Sequence, residues 1–436
     1  MMFKSLLSPR QILLAGVLVC TSLSVSANGP KSLPTPSNPT ADNTQSSSET
    51  HTKAQSGSGS SWYSDFKVVP FGFISSSIGN SIGAAGVLKG AGQPQAALIG
   101  AGFVSDKGSY MTYLGGYNYQ IANNWLLNMD GYSARFKDYD YYLGANSHNN
   151  SNYDDSVESD GQESRLQASF RYILPIGLGA ELGGAAGFAP TRDVTSANPL
   201  KSGVSTLWIR PFYKTRDLDD YEDYESNSTW GVEIKADWDN RDDIRNTTTG
   251  SRTQLGLTYA PDLGNDNPWT TWEFQNSQFW DLGSLGKLFN KQVLAFDFYT
   301  AGTPSWDNGS AGNEHRPPEY AGVRLGGIFR QRAFSGGRFT GRAAINYSLE
   351  YRVMPDWQPL QNWPIFDLYN VPWWQWVVFT DIGRVADDYD ISTLHKDMQT
   401  SVGGAIRFQV EGVVVRTEMA WGDEESIFRV MINQPF

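Results

Sequence analysis

From about residue 62 onward, polar and apolar positions alternate with a period of two. In 397–410, Met398, Thr400, Val402, Gly404, Ile406, Phe408 and Val410 share one face, and Gln399, Ser401, Gly403, Ala405, Arg407 and Gln409 share the other. In 340–353, Ala343, Ile345, Tyr347, Leu349, Tyr351 and Val353 oppose Arg342, Ala344, Asn346, Ser348, Glu350 and Arg352. Segments 229–239 and 412–421 repeat the pattern, with Glu233, Lys235, Asp237 and Asp239 on one polar face and Arg416 and Glu418 on another. Such alternation is that of a pleated strand with unlike faces. The segments run 10 to 14 residues, long for soluble strands but suited to tilted strands crossing about 30 Å of hydrocarbon. Ionised residues at successive polar-face positions suit a wet lumen, and Trp and Tyr near segment ends suit interfacial girdles. The pattern predicts an all-β fold: an antiparallel transmembrane β-barrel over 62–436.

Sixteen segments can be counted: 66–79, 95–105, 108–120, 124–136, 162–175, 179–190, 202–214, 227–240, 250–261, 269–282, 289–301, 340–354, 373–384, 397–410, 412–421 and 426–436. An even number is normal for single-chain bacterial barrels. The first six alternate least clearly. The long connections are 137–161, 215–226, 302–339, 355–372 and 385–396. With both ends in the periplasm, 215–226, 302–339 and 385–396 face outward, and the other two face the periplasm. The final strand alternates Phe428, Val430, Ile432 and Gln434 and closes on Phe436, like an outer-membrane assembly signal, although Gln434 and Pro435 depart from its usual pattern.

The N-terminus obeys different rules. Lys4 and Arg10 precede a short apolar core, Ile12 to Val19, and the small-residue site Val25-Ser26-Ala27. This predicts a signal peptide over 1–27, cleaved at about Ala27/Asn28. Residues 28–61, rich in Ser, Pro, Thr, Asn and Gly, predict a disordered linker that leaves no room for a folded periplasmic domain. The only cysteine is Cys20, so a disulfide framework and thiolate metal centres are excluded, and four histidines make a His-rich metal site unpromising. The net charge of −12, falling to −14 without the leader, argues against nucleic acid as a partner. Mean hydropathy is −0.41, and no run of about 18 apolar residues comes after the leader.

The stretch 326–353, GGIFRQRAFSGGRFTGRAAINYSLEYRV, resembles the BamA/TamA superfamily of outer-membrane assembly and translocation barrels, the bacterial surface antigens. In that family a long external loop between strands 11 and 12 folds into the lumen. Gln331-Arg332-Ala333-Phe334 matches its tip, Ala333 standing in place of a glycine. Gly337-Arg338-Phe339 matches the family's Gly-Arg-Phe/Tyr after the tip, and Glu350-Tyr351-Arg352 matches its strand ending in Glu-Tyr-Arg. Phe379-Thr380-Asp381-Ile382-Gly383 matches the family's Phe-x-Asp-x-Gly on strand 13. Asp239-Asn240-Arg241-Asp242-Asp243 with Gly250, and Tyr139 to Asn146, resemble two of its turns. The resemblance implies a member without POTRA domains. Independently of the family, parity puts Asp381 and Phe379 on one face of strand 13, and a carboxylate cannot face lipid cheaply. Asp381 and Glu350 therefore face the lumen, where an arginine fork can neutralise them, and Arg332 on the folded-in loop is the natural donor.

The resemblance implies a non-enzymatic factor that inserts or translocates proteins or lipids through a seam between strands 1 and 16. Its partners would be outer-membrane lipids, lipopolysaccharide, the barrel assembly machinery and an unfolded protein or lipid client, and no cofactor is expected. Pro70 and Pro435 suit poorly paired edges. The alternatives are a passive pore or structural barrel and, more remotely, a barrel hydrolase. His315 and His395 lie in predicted external loops among acidic residues, as a protease site of the omptin kind would place them, but they read as ordinary surface histidines, and no spacing supports a Ser/His/Asn set. Acidic positions 217, 219, 220, 222, 223 and 225 form a run of the kind that binds divalent cations or is simply solvated. The small-residue cluster 179–187 reads as a strand packed against a lumen plug rather than as a phosphate loop.

Overall fold

The computed structural model describes residues 65–75, 78–221, 228–262, 267–306, 315–359, 369–410, 412–432 and 434–436. Sixteen antiparallel strands succeed one another in sequence order. They are β1 (Asp65–Ser75), β2 (Gly79–Lys89), β3 (Ala97–Ser105), β4 (Tyr110–Ala122), β5 (Trp125–Tyr141), β6 (Val157–Ile173), β7 (Val204–Leu218) and β8 (Ser228–Arg241). Then come β9 (Gly250–Ala260), β10 (Trp269–Leu285), β11 (Phe289–Gly302), β12 (Ala343–Pro355), β13 (Trp374–Ala386), β14 (Gln399–Val410), β15 (Val413–Trp421) and β16 (Ser426–Ile432). The sheet curls into a nearly closed barrel with an unsealed seam, since no ladder joins β1 to β16 among the described residues. No described helix is long and apolar enough to cross a membrane.

Alternation sets which side chains face out. Val378 and Val402 are 59% and 49% exposed, whereas Asp381 and Ser401 on the same strands are fully buried. Ile82, Leu98, Leu114, Leu166, Ile234, Leu255 and Leu349 continue this exposed apolar surface around the barrel. The inner face carries buried ionised residues, among them Glu350, Arg352, Asp381 and Arg407.

The count of sixteen is right, but one of its members is false and one strand is missing from it. Segment 79–89, passed over in the sequence, is β2. Its small residues are dictated by close packing: a Cβ on Gly83 would lie 2.6 Å from the Phe71 ring. That requirement erases the bulky alternation that identifies other strands. Segment 179–190 is no strand. Gly177, at φ +53°, opens the short helix Leu178–Leu182, which runs into a tight helical turn over Gly183–Phe188. There Ala186 and Phe188 pack onto Leu126, Ile173 and Val204, filling the end of the barrel where the described chain begins and ends, its near end. The missed strand reverses the sense of the next four segments and the false one restores it. Hence 137–161 does not face the near side. Its turn, 142–156, lies at the far end with the long connection 303–342: Ser147 bonds to Thr340, and Gly144 N–H to Glu319. The last strand ends at Ile432 rather than at 436. The expected leader 1–27, the linker 28–61 and positions 222, 223 and 225 of the acidic run lie outside the described residues.

Candidate functional site in the barrel lumen

The connection from β11 to β12 leaves and rejoins the wall at the far end, where Thr303 N–H donates to the Arg342 carbonyl at 2.8 Å. A two-residue ladder, Arg324–Leu325 with Phe339–Thr340, narrows it to a stem. Beyond the stem the chain reverses through Gly326 and Gly327, at φ +97° and +113°. These values favour glycine, and a Cβ on Gly326 would collide with the Ser335 carbonyl. Gly327 N–H donates to Phe334 O, and Phe334 N–H to Gln331 O, both at 3.0 Å. The left-handed residue of this tip is Gln331, at φ +50°. Ala333 is not among the positive-φ residues, so the missing glycine costs the turn nothing.

The tip delivers Arg332 to the inner wall of β12–β14. Its backbone N–H and Nε donate to Asp381 Oδ2 at 3.0 and 2.9 Å, and Nη2 donates to Oδ1 at 2.7 Å. The remaining Nη1 donates to Glu350 Oε1 at 2.6 Å. The guanidinium lies 3.6 Å from the Phe379 ring centroid, a favourable cation–π contact. Glu350 also accepts from Arg407 Nη2 at 2.6 Å, Arg407 Nη1 at 2.8 Å and Arg352 Nε at 2.9 Å. Arg332, Glu350, Asp381 and Arg407 are all 0% exposed. Charges taken out of water this completely need saturated hydrogen bonding, and the two carboxylates obtain it from three arginines. Asp381 has Arg332 as its only ion-pair partner among the described residues, whereas Glu350 has three.

Other contacts hold the rest of the loop. Arg429 of β16 donates from Nη1 to Gly327 O at 3.0 Å and to Arg332 O, and from Nη2 to Phe334 O at 2.8 Å. Arg416 of β15 pairs with Glu418 at 3.0 Å and donates to Ile328 O. Arg338 forks onto Glu424 at 2.8 and 2.6 Å, bonds to Ser151, and lies over the Tyr142 ring. Ser335 gives its N–H and hydroxyl to Glu425 at 2.7 and 2.9 Å. Burial pushes the Glu425 carboxyl above its ordinary value, against the pull of those two bonds. Phe334 is fully buried against Phe339, with ring centroids 4.9 Å apart. Gly383 is small because a Cβ there would lie 2.7 Å from the Asn346 side chain.

The structure thus brings Arg332, Phe334, Arg338, Glu350, Phe379, Asp381 and Gly383 around one loop. It does not join the C-terminal residues into one face. Phe428 is exposed, Val430 and Ile432 are buried, and Phe436 turns into the lumen under the Arg352 guanidinium, 6.1 Å from the Phe279 ring. His315 and His395 bond separately, to the Pro268 carbonyl and to Tyr347. Sequence reasoning missed the roles of Arg407, Arg416 and Arg429 in holding the loop. Arg407 and Arg416 had a signal, since parity places them on the polar faces of β14 and β15. Arg429 sits between apolar neighbours in a short last strand, where one charge says little.

The comparisons with known proteins agree with this architecture. Residues 106–436 match the Omp85 superfamily domain. BamA from Haemophilus ducreyi, in a structure lacking POTRA domains 1–3, is similar at 16% identity and a TM-score of 0.48, with 84% of this chain and 69% of that one covered. CdiB from Escherichia coli is similar at 10% identity and a TM-score of 0.52, covering 84% of this chain and 61% of that one. CdiB from Acinetobacter baumannii gives 10% and 0.49, with 84% and 59% covered. At such identities the likeness is one of fold, carried by the Escherichia coli CdiB superposition, and this chain spans less than two thirds of either CdiB. No curated protein sequence matches.

Proposed function

The chain belongs to the Omp85 superfamily, and on that premise we propose that it is a non-enzymatic outer-membrane factor that inserts or translocates a protein or lipid client at the seam between β1 and β16. The family is one of general protein insertion and translocation, and its barrel fold indicates the outer membrane; on this reading the near end of the barrel faces the periplasm. The observation that carries the reading is the seam itself. Every other pair of neighbouring strands is zipped by a backbone ladder, but among the described residues this pair is not. It is closed by side chains. Ile432 of β16 packs into the cluster of Phe71 and Phe73 of β1. From the turn before β13, Tyr369 packs with Val371 over Val410, Val415 and Val430, and its hydroxyl donates to Val68 O of β1 at 3.4 Å. Side-chain closure opens at far lower cost than a ladder of buried hydrogen bonds. Pro70 removes one donor from β1, whereas Pro435 lies beyond the last strand. On the same reading, residues 1–27 export the chain and 28–61 tether nothing that the barrel needs.

The test is reconstitution. Liposomes containing the folded barrel should accelerate the folding of a urea-unfolded outer-membrane barrel added outside. Oxidising cysteines placed at Phe71 and Ile432 should abolish the acceleration, and reduction should restore it. Equal folding rates with and without the protein would remove the insertion reading.

A further inference from the structure

Between the loop tip and the inner walls of β4 to β10, bounded on its other side by Val413, Val414 and Phe436, lies a cavity of about 450 Å³. Its lining contains nine cationic side chains and four carboxylate side chains. This is the reverse of the chain as a whole, with 34 basic and 46 acidic residues. The carboxylates present are already shared: Asp239 is paired with both Arg192 and Arg241, Asp237 with Arg252, and Glu273 with Lys235. Two lining arginines have no carboxylate partner among the described residues. Arg171 lies 4.4 Å over the Trp208 ring and donates only to Gly187 O, at 3.3 Å. Arg330 lies 3.5 Å over the Tyr299 ring and donates only to the Gln275 side chain, at 2.9 Å. In each case an aromatic face fixes the guanidinium without neutralising it.

We propose that this cavity is a binding site for a phosphate-bearing anion, with Arg171 and Arg330 as its principal ligands. A guanidinium presents paired N–H donors in the geometry of a tetrahedral oxyanion. Cations held in a confined, low-dielectric space gain most from a multiply charged partner. Acidic proteins do not collect positive charge in one cavity for solubility. Their surface charge serves that purpose, and here the surplus faces inward. The site does not depend on the seam, so it stands or falls separately from the proposed function.

The test uses the folded full-length barrel in a zwitterionic detergent and isothermal titration calorimetry with three titrants: inorganic phosphate, pyrophosphate and a short-chain phosphatidylglycerol. Saturable binding of pyrophosphate over phosphate, weakening with added NaCl, is expected. Arg171→Gln and Arg330→Gln should each weaken it about ten-fold, the loss of one charge-assisted hydrogen bond. Arg342→Gln, which breaks only a pair with exposed Asp388 at the far end, should leave it unchanged. Binding of the inorganic titrants alone assigns the site to a free oxyanion, and binding of the lipid with the same arginine dependence assigns it to a headgroup. No saturable binding by the wild type, or binding indifferent to both arginines, overturns the proposal. The wild-type measurement decides even if a variant fails to fold.

Discussion

The two sides of the lumen use the same residue type to opposite ends. Against β12–β16, arginine is spent on protein. Arg332, Arg407 and Arg352 saturate Glu350 and Asp381, and Arg429 and Arg416 take up loop carbonyls. Against β4–β10, arginine outnumbers its carboxylates, and Arg171 and Arg330 rest on aromatic rings instead. Burial alone does not tell the two apart, since both sides lie inside the barrel. What differs is that Arg171 and Arg330 have no ion-pair partner among the described residues, and a charge so placed remains available to a ligand rather than serving the fold.

The sharpest way to break the contrast is Arg332→Ala. It leaves Asp381 buried with no cation and should cost about 3–5 kcal/mol. The check is the temperature at which the compact gel band of the folded barrel disappears. Arg332→Ala combined with Asp381→Asn should lose less than Arg332→Ala alone, because the orphaned charge goes with its partner. Additive losses would show that the pair is not coupled. Arg429→Ala comes next, at about 2 kcal/mol for charge-assisted bonds from β16 to the loop tip.

Arg171→Gln on the opposite side should shift stability by no more than about 0.5 kcal/mol, or raise it, since no ion pair is lost. A loss as large as that of Arg332→Ala would erase the distinction. The smallest effect belongs to Glu425. A carboxyl raised by folding stabilises the fold fully below its unfolded value of about 4.5 and loses that contribution as pH climbs through the folded value. Glu425→Gln keeps an acceptor for Ser335 and should slightly flatten the fall in melting temperature between pH 4 and neutral.

Much of this was legible from parity. Once Asp381 and Glu350 are known to avoid lipid, the other inward residues of their strands are known too, Arg352 among them. The tip sequence supplied the missing cation. The unreadable parts have physical reasons. In β2 the ring of Phe71 occupies the space of absent side chains, so alternation has nothing to act on. In 179–188 the same small residues serve a tight helical turn, and composition cannot separate the two uses. The partnering of arginines across strands depends on register, which no single segment contains. That is why the knot's two carboxylates were legible but not the surplus of charge opposite them.

We propose that the loop, locked by Arg332, blocks a barrel otherwise wide enough for an aqueous channel. Single-channel recording in planar bilayers tests it most directly. The wild type should show small, noisy conductance, and Arg332→Ala should raise it to large, long-lived openings. Steady porin-sized conductance in the wild type, unchanged by Arg332→Ala, would show an open lumen and favour a passive pore.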